Sequence, residues 1–194
     1  MNILKIYVVL LGAAVISPVC AQATTWNGQG FTVVASSIGG SPAADKTFKI
    51  VADKNVYFKT IDQAAGTFLE AESSKLTVLT MPSAGTTGSV KSAELSGPVK
   101  LVYTTCDPKT NARSTMTATS DSATYDGVTQ VAYLIGNVKI VNDNPTLFAQ
   151  PAVMTGDKAT INLKPGAGTE FRVESSPGLS RIEATPKNQE ATKK

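Results

Sequence analysis

The apolar positions of this chain recur with a period of two over short runs, and a glycine interrupts the clearest of them. In Leu134-Ile135-Gly136-Asn137-Val138-Lys139-Ile140-Val141, Val138 and Ile140 fall on one face of a pleat and Lys139 falls on the other. The same phrase stands earlier as Leu95-Ser96-Gly97-Pro98-Val99-Lys100-Leu101-Val102, with Gly97 in the place of Gly136 and Leu101 in that of Ile140. A second phrase precedes each glycine: residues 69–78 align with residues 116–125. The two spacings differ, and the difference falls in the Gly-rich stretch 81–88, where a surface loop tolerates insertion. Fainter echoes are Asp53-Lys54-Asn55-Val56-Tyr57 and Asp157-Lys158-Ala159-Thr160-Ile161. The pattern predicts a repeated hairpin unit: a strand, an Asp/Ser-bearing bend, a strand, a loop and a Gly-x-Val-Lys strand.

The rest of the chain reads the same way. Short strands are predicted at 31–35, 48–52, 56–58, 68–72, 76–79 and 90–102, then at 116–119, 123–125 and 128–141. Further strands follow at 146–149, 152–155, 159–163, 170–174 and 182–184. Loops or turns separate them at 36–42, 63–66, 81–88 and 106–113, at Asp126-Gly127, at Asn142-Asp143-Asn144-Pro145 and at 164–168. Helical periodicity is nearly absent. Strands at short, regular spacing with turns between them make an all-β fold, and no composition break divides it into two domains.

One hairpin has one apolar face and cannot hide it alone, so successive hairpins must stack. Gly97 and Gly136 are expected at bulges where the sheet curls. Alternation marks Phe48, Ile50, Leu69, Leu76, Val78, Val99 and Leu101 as inward-facing, followed by Tyr125, Leu134, Val138, Ile140, Ile161, Leu163 and Phe171. Lys100 and Lys139 are expected outside or at the rim. The edge strands of such a roll carry unpaired backbone groups, and 31–35 and 171–174 are the candidates.

Composition narrows the function classes. Apolar residues make up 42% of the chain, enough for a core, while charged residues at 17% are sparse. A net charge of +3, scattered rather than striped, gives no footing for nucleic acid. Histidine is absent, which removes the commonest general base and metal ligand. Asp53, Asp121, Asp157, Glu70 and Glu72 could pair as carboxylates for sugar hydrolysis, but each repeated Asp sits at a bend, where Asx-turn chemistry accounts for it. The reading is of a protein that is not an enzyme, with no catalytic residues, no metal site and no cofactor.

Residues 1–23 read as a secretory signal: Lys5, a short apolar run, the Ser17-Pro18 break, and small residues before a cleavage point at Ala21 or Ala23. The run is shorter than the ~20 residues a membrane-spanning helix needs. An uncleaved inner-membrane anchor is the competing reading. Cleavage would remove Cys20 and leave Cys106 alone, a thiol without the base that would activate it. Residues 24–185 then form the domain, and the polar stretch 186–194 is expected to be a disordered tail.

The paired pattern of strand, Asp-x-Ala-Thr-Tyr and Leu-x-Gly-Asn-Val-x-Ile resembles the LptA/OstA-like proteins of lipopolysaccharide export. The likeness is best over 116–163 and fainter over 69–102; residues 26–42 and 106–113 match nothing. The resemblance implies an open, twisted β-jellyroll, or β-taco, whose apolar groove receives the acyl chains of lipid A. It implies a periplasmic location and head-to-tail self-association in a bridge from inner to outer membrane. LptC-like inner-membrane and LptD-like outer-membrane proteins would be the partners, with no nucleic acid. Under that resemblance the inward residues named above become candidates for lipid contact. The alternatives are a membrane-anchored LptC-like component of the same system, or a secreted β-repeat protein that binds sugars or other proteins.

Overall fold

The computed structural model describes residues 23–62, 66–81, 88–106, 112–164 and 170–187. The expected leader with Cys20 (1–22), turn residues 63–65, the loop stretches 82–87 and 107–111, the turn at 165–168 and the tail residues 188–194 lie outside them.

Six long antiparallel strands carry the architecture: β4 (Phe48–Asp62), β5 (Thr67–Thr80), β6 (Val90–Cys106), β7 (Arg113–Asp126), β8 (Val131–Asp143) and β9 (Phe148–Asn162). Short strands flank them: β1 (Thr24–Gly28), β2 (Phe31–Ala35) and β3 (Ser37–Pro42) before, β10 (Glu170–Glu174) and β11 (Arg181–Pro186) after. A 3₁₀ turn at Ala44–Lys46 joins β3 to β4. The order is β1-β2-β4-β5-β6-β7-β8-β9-β10, with β3 also on β4 and β11 also on β9. The first and last strands do not pair with each other, so the sheet is an open β-jellyroll and not a barrel.

The strands are longer than their sequence pattern predicts. The expected pairs of short strands, 48–52 with 56–58, 68–72 with 76–79 and 116–119 with 123–125, are each one strand of 14 or 15 residues. Likewise 146–149, 152–155 and 159–163 merge into β9, which starts at Phe148 and ends at Asn162. The apparent breaks are bulges. Register slips at Asp53/Val56, Glu72/Lys75, Ser96/Val99, Thr119/Ser122 and Ile135/Val138 fall side by side across successive strand pairs. They form a ridge along which the whole sheet folds over. The Asp/Ser-bearing bend of each repeat is therefore a mid-strand bulge rather than a hairpin turn.

The ridge explains the interrupted alternation. In β5, Leu69, Ala71 and Ser73 are buried, two exposed residues follow, and Leu76, Val78 and Thr80 are buried again. Without the extra residue, a strict period of two would turn the second half's apolar set to solvent. The repeat is also visible in hydrogen bonding. Ser73 Oγ donates to Lys75 O at 3.1 Å, and Ser120 Oγ, its counterpart in the second copy, donates to Ser122 O at 2.9 Å. Gly97 and Gly136 hold φ of 87° and 80°, a left-handed backbone that a β-carbon disfavours, so the glycine phrases do mark the bulges.

The folding places two half-sheets face to face. One contains 48–53, 75–80, 90–96, 122–126, 131–135 and 158–162; the other contains the opposite halves of the same strands. At the N-terminal end β3 extends the first half-sheet and β2 with β1 the second. At the C-terminal end β10 extends the first and β11 the second.

Two sequence expectations change here. Residues 36–42 were expected as a loop because of Gly39-Gly40 and Pro42; residues 37–42 are instead an edge strand paired with β4. The glycine is used for space: a Cβ on Gly40 would lie 2.6 Å from the Phe48 ring and 3.3 Å from that of Trp26. Residues 31–35 were expected at the edge, but β2 lies between β1 and β4, and among the described residues β1 is the edge. At the other end β10 is an edge as expected, and β11 is a second one. Pro186 pairs with Phe148 and the Lys187 N–H donates to Leu147 O at 2.9 Å, so the polar tail begins with anchored residues.

Candidate functional site

The inward faces of the two half-sheets meet in one continuous apolar layer. Eleven of the fourteen inward residues named from the sequence are buried: Ile50, Leu69, Leu76, Val78, Val99, Leu101, Leu134, Val138, Ile140, Ile161 and Leu163. The other three, Phe48, Tyr125 and Phe171, are partly buried and pack against that layer. Lys100 and Lys139 are exposed on the outer face, and Lys100 lies 3.9 Å from Glu72.

The sequence reading left out several interior residues. Phe58, Val33, Leu95, Met116 and Met154 are buried in the same layer, as is Phe31, whose ring centroid lies 6.1 Å from that of Phe58. Phe58 and Met154 continue alternations begun by Val56 and Ala152, a signal present in the sequence. Tyr103 extends the series Val99, Leu101 in the same way. Thr80 is a buried polar member, its hydroxyl accepting the Phe48 N–H at 3.2 Å.

Opposite the ridge, the ends of the long strands face each other as two rims, and the line between them is the slit of the roll. Near its N-terminal end the slit widens into a cleft of about 740 Å³. One wall is the β1–β2 turn and the end of β4, including Phe31, Lys59, Ile61 and Asp62; the other is Met81, Ser89, Val90 and the β7–β8 turn. Tyr125 contributes an aromatic ring to this cleft. Asp126 Oδ1 accepts the Val128 and Thr129 N–H groups at 2.8 and 2.9 Å, an Asx turn that fixes the second wall.

Farther along, a hydrogen bond joins the rims. Tyr103, on the second half-sheet, donates its hydroxyl to Leu163 O, at the end of the first, at 3.1 Å. Burial raises the Tyr103 pKa, and the charge of Asp62 adds to the effect. Burial also raises that of Tyr125. Both phenols are therefore neutral donors at ordinary pH.

The two ends of the roll differ. At the N-terminal end the Trp26 and Phe48 rings stack across the half-sheets, with centroids 5.4 Å apart and planes at 21°. At the C-terminal end Ile182 pairs with buried Met154, which sets it on the inward face, yet it is 64% exposed. Phe171 and Val173 stand on the facing strand, opposite Ile161 and Ala159, and are only partly buried. One end is thus stoppered by aromatic rings and the other presents apolar side chains to solvent.

Among the described residues no cluster of three His, Cys, Asp or Glu side chains could hold a metal ion. A polar group lies on the outer face: Tyr57 donates to Glu70 Oε1 at 2.7 Å, and Lys59 Nζ lies 3.2 Å from the same oxygen. Cys106 is a free, partly buried thiol at the end of β6, its N–H donating to Gly66 O at 3.1 Å. The arrangement can enclose apolar matter and exclude water.

No family model and no curated protein matches the chain. Among solved structures, it is similar to LptH of Pseudomonas aeruginosa, described as the LptA-homologous periplasmic component of the conserved lipopolysaccharide transport device. The identity is 14% and the TM-score 0.54, over 82% of this chain and 96% of that one. That likeness is one of fold, and the fold of this chain is the LptA-like open β-jellyroll.

Proposed function

We propose that this protein binds and passes on lipopolysaccharide in the periplasm, holding lipid A acyl chains between its half-sheets. The observation that carries the reading is the unclosed apolar interior: two inward faces of a sheet whose end strands do not pair, with Ile182 exposed on the inward face at one end. Burying a CH₂ is worth about 0.8 kcal/mol, so a twelve-carbon chain gains roughly 10 kcal/mol before ordering costs. Such a ligand needs an apolar wall and no catalytic group. The interior is filled by its own side chains, so an acyl chain enters by parting the rims, and the cleft beside Tyr125 is the place where they already stand apart.

The edges support a chain of copies. β10 and β11 at one end and β1 and β3 at the other are unlike strands with free backbone groups, and unlike ends joined head to tail make open filaments. On this reading neighbours of the same fold, LptC-like at the inner membrane and LptD-like at the outer, extend the trough in both directions.

A photo-crosslinking residue placed at Ile140 or Phe171 in the full chain, expressed in a lipopolysaccharide-producing cell, is expected to label lipid A. A position on the outer face, Lys139, is the control. Labelling absent from both inward sites, or equal at Lys139, rejects the groove.

A further inference from the structure

Trp26 occupies a position that the transport reading leaves unused. It pairs with Val33 on β2, which turns the indole inward, and it lies flat on Phe48 from the opposing half-sheet. The pair spans the N-terminal end of the trough. Gly40 clears the space for it, since a Cβ there would overlap the Phe48 ring at 2.6 Å.

Three observations make this stopper easy to move. The indole Nε1 is buried yet finds no hydrogen-bond partner among the described residues, so the closed position leaves a donor unsatisfied. Strand β1 is five residues long, and among the described residues β2 is its only strand partner. The turn that follows β1, with Asn27, Gly28 and Phe31, borders the cleft at this end of the roll, so the strand that carries Trp26 ends against open space. Stacking holds the ring in place, and among the described residues no hydrogen bond holds its N–H.

We infer that Trp26 is a displaceable closure of the trough: a hydrocarbon chain advancing toward the N-terminal end lifts the indole from Phe48 and takes its place against that ring. This rests on the reading of the interior as a hydrocarbon path. It adds a step to that path: the stacked pair at this end gives way when a chain arrives. In the empty protein the stacked pair keeps water out of the apolar layer.

Trp26 is the single tryptophan of the chain, so its emission reports this site alone. The experiment titrates the full chain with dodecanoate and with dodecanoate brominated near its methyl end, bromine being a contact quencher. The brominated chain is expected to quench Trp26 emission by more than about half at saturation, while the plain one shifts its wavelength without quenching. Release of radiolabelled dodecanoate is expected to be about threefold or more faster in Trp26→Ala, and unchanged in Trp26→Phe, which keeps a ring on Phe48. Bound dodecanoate with unquenched Trp26 and equal release from all three proteins overturns the closure and leaves the lipid-binding reading standing. Failure of the wild-type protein to retain dodecanoate or lipid A overturns both.

Discussion

A Cβ on Gly136 would lie 2.2 Å from Oδ2 of Asp121, so a glycine on β8 and a carboxylate on β7 nest against each other at the ridge. The same oxygen accepts a hydrogen bond from Asn137 Nδ2 at 2.9 Å. In the first repeat copy, Gly97 nests against Ser74, whose Oγ would lie 2.5 Å from an added Cβ. At these two bulges a glycine on one strand receives a polar side chain from the strand before it. The predicted cost of Gly136→Ala is about 2 kcal/mol, from the positive φ and the displaced carboxylate together. Urea midpoints check it, and Asp121→Ala in the same chain should recover the steric part only, leaving the backbone part.

Tyr103→Phe removes the bond between the two rims and leaves Leu163 O without that donor. The expected loss is about 1–2 kcal/mol, because an acceptor made for a partner is left bare in a buried place. Amide hydrogen exchange should rise along the rim near Leu163 and stay unchanged along the ridge. Equal protection in both proteins would mean that the bond does not hold the slit.

Stability should respond to pH at both ends of the range through Tyr57 and Glu70. Burial, with the Glu70 hydrogen bond and charge behind it, pushes the Tyr57 pKa from 10.0 up to about 12. A raised phenol favours the neutral form in the fold, so its contribution is complete below pH 10 and is lost as pH climbs through the folded value. The Tyr57 hydrogen bond, followed by that of Lys59, lowers the Glu70 pKa. That contribution is present above the ordinary carboxylate value of 4.5 and fades as pH falls through the lowered one. Tyr57→Phe should make the alkaline fall in urea midpoint shallower, with Tyr103 and Tyr125 supplying the remainder, and Glu70→Gln should flatten the acid limb.

Ile182→Lys tests the open C-terminal end. The side chain is 64% exposed, so the folded protomer should keep its urea midpoint within about 0.5 kcal/mol. If this end receives another copy, a lysine on its inward face carries a charge into an apolar contact. Light scattering should then show the concentration-dependent oligomers of the wild type replaced by monomers. A wild type that stays monomeric at high concentration would remove head-to-tail assembly.

Much of the fold can be read from alternation. All fourteen residues that the period of two marked as inward are buried or packed against the core, because between bulges a side chain's face in a strand depends on its parity. The repeat identified the bulges for the same local reason: Gly97 and Gly136 sit where a left-handed backbone is needed, and Ser73 and Ser120 cap equivalent kinks. What parity could not show is that a break in the pattern lies inside one strand. A bulge and a turn both interrupt the period and both favour Gly, Asp, Ser and Asn, so the short strands read from 48–52 and 56–58 are halves of β4.

The sequence by itself determined an all-β chain, its repeat and much of the apolar set of its interior, since all three follow from residue types a few positions apart. Only the tertiary structure decided which strands are edges, that Trp26 meets Phe48 at one end while Ile182 stands bare at the other, and that Tyr103 reaches Leu163 across the slit. Those contacts join residues far apart in the chain, and they exist because a sheet folded along its bulges brings opposite halves of the same strands face to face.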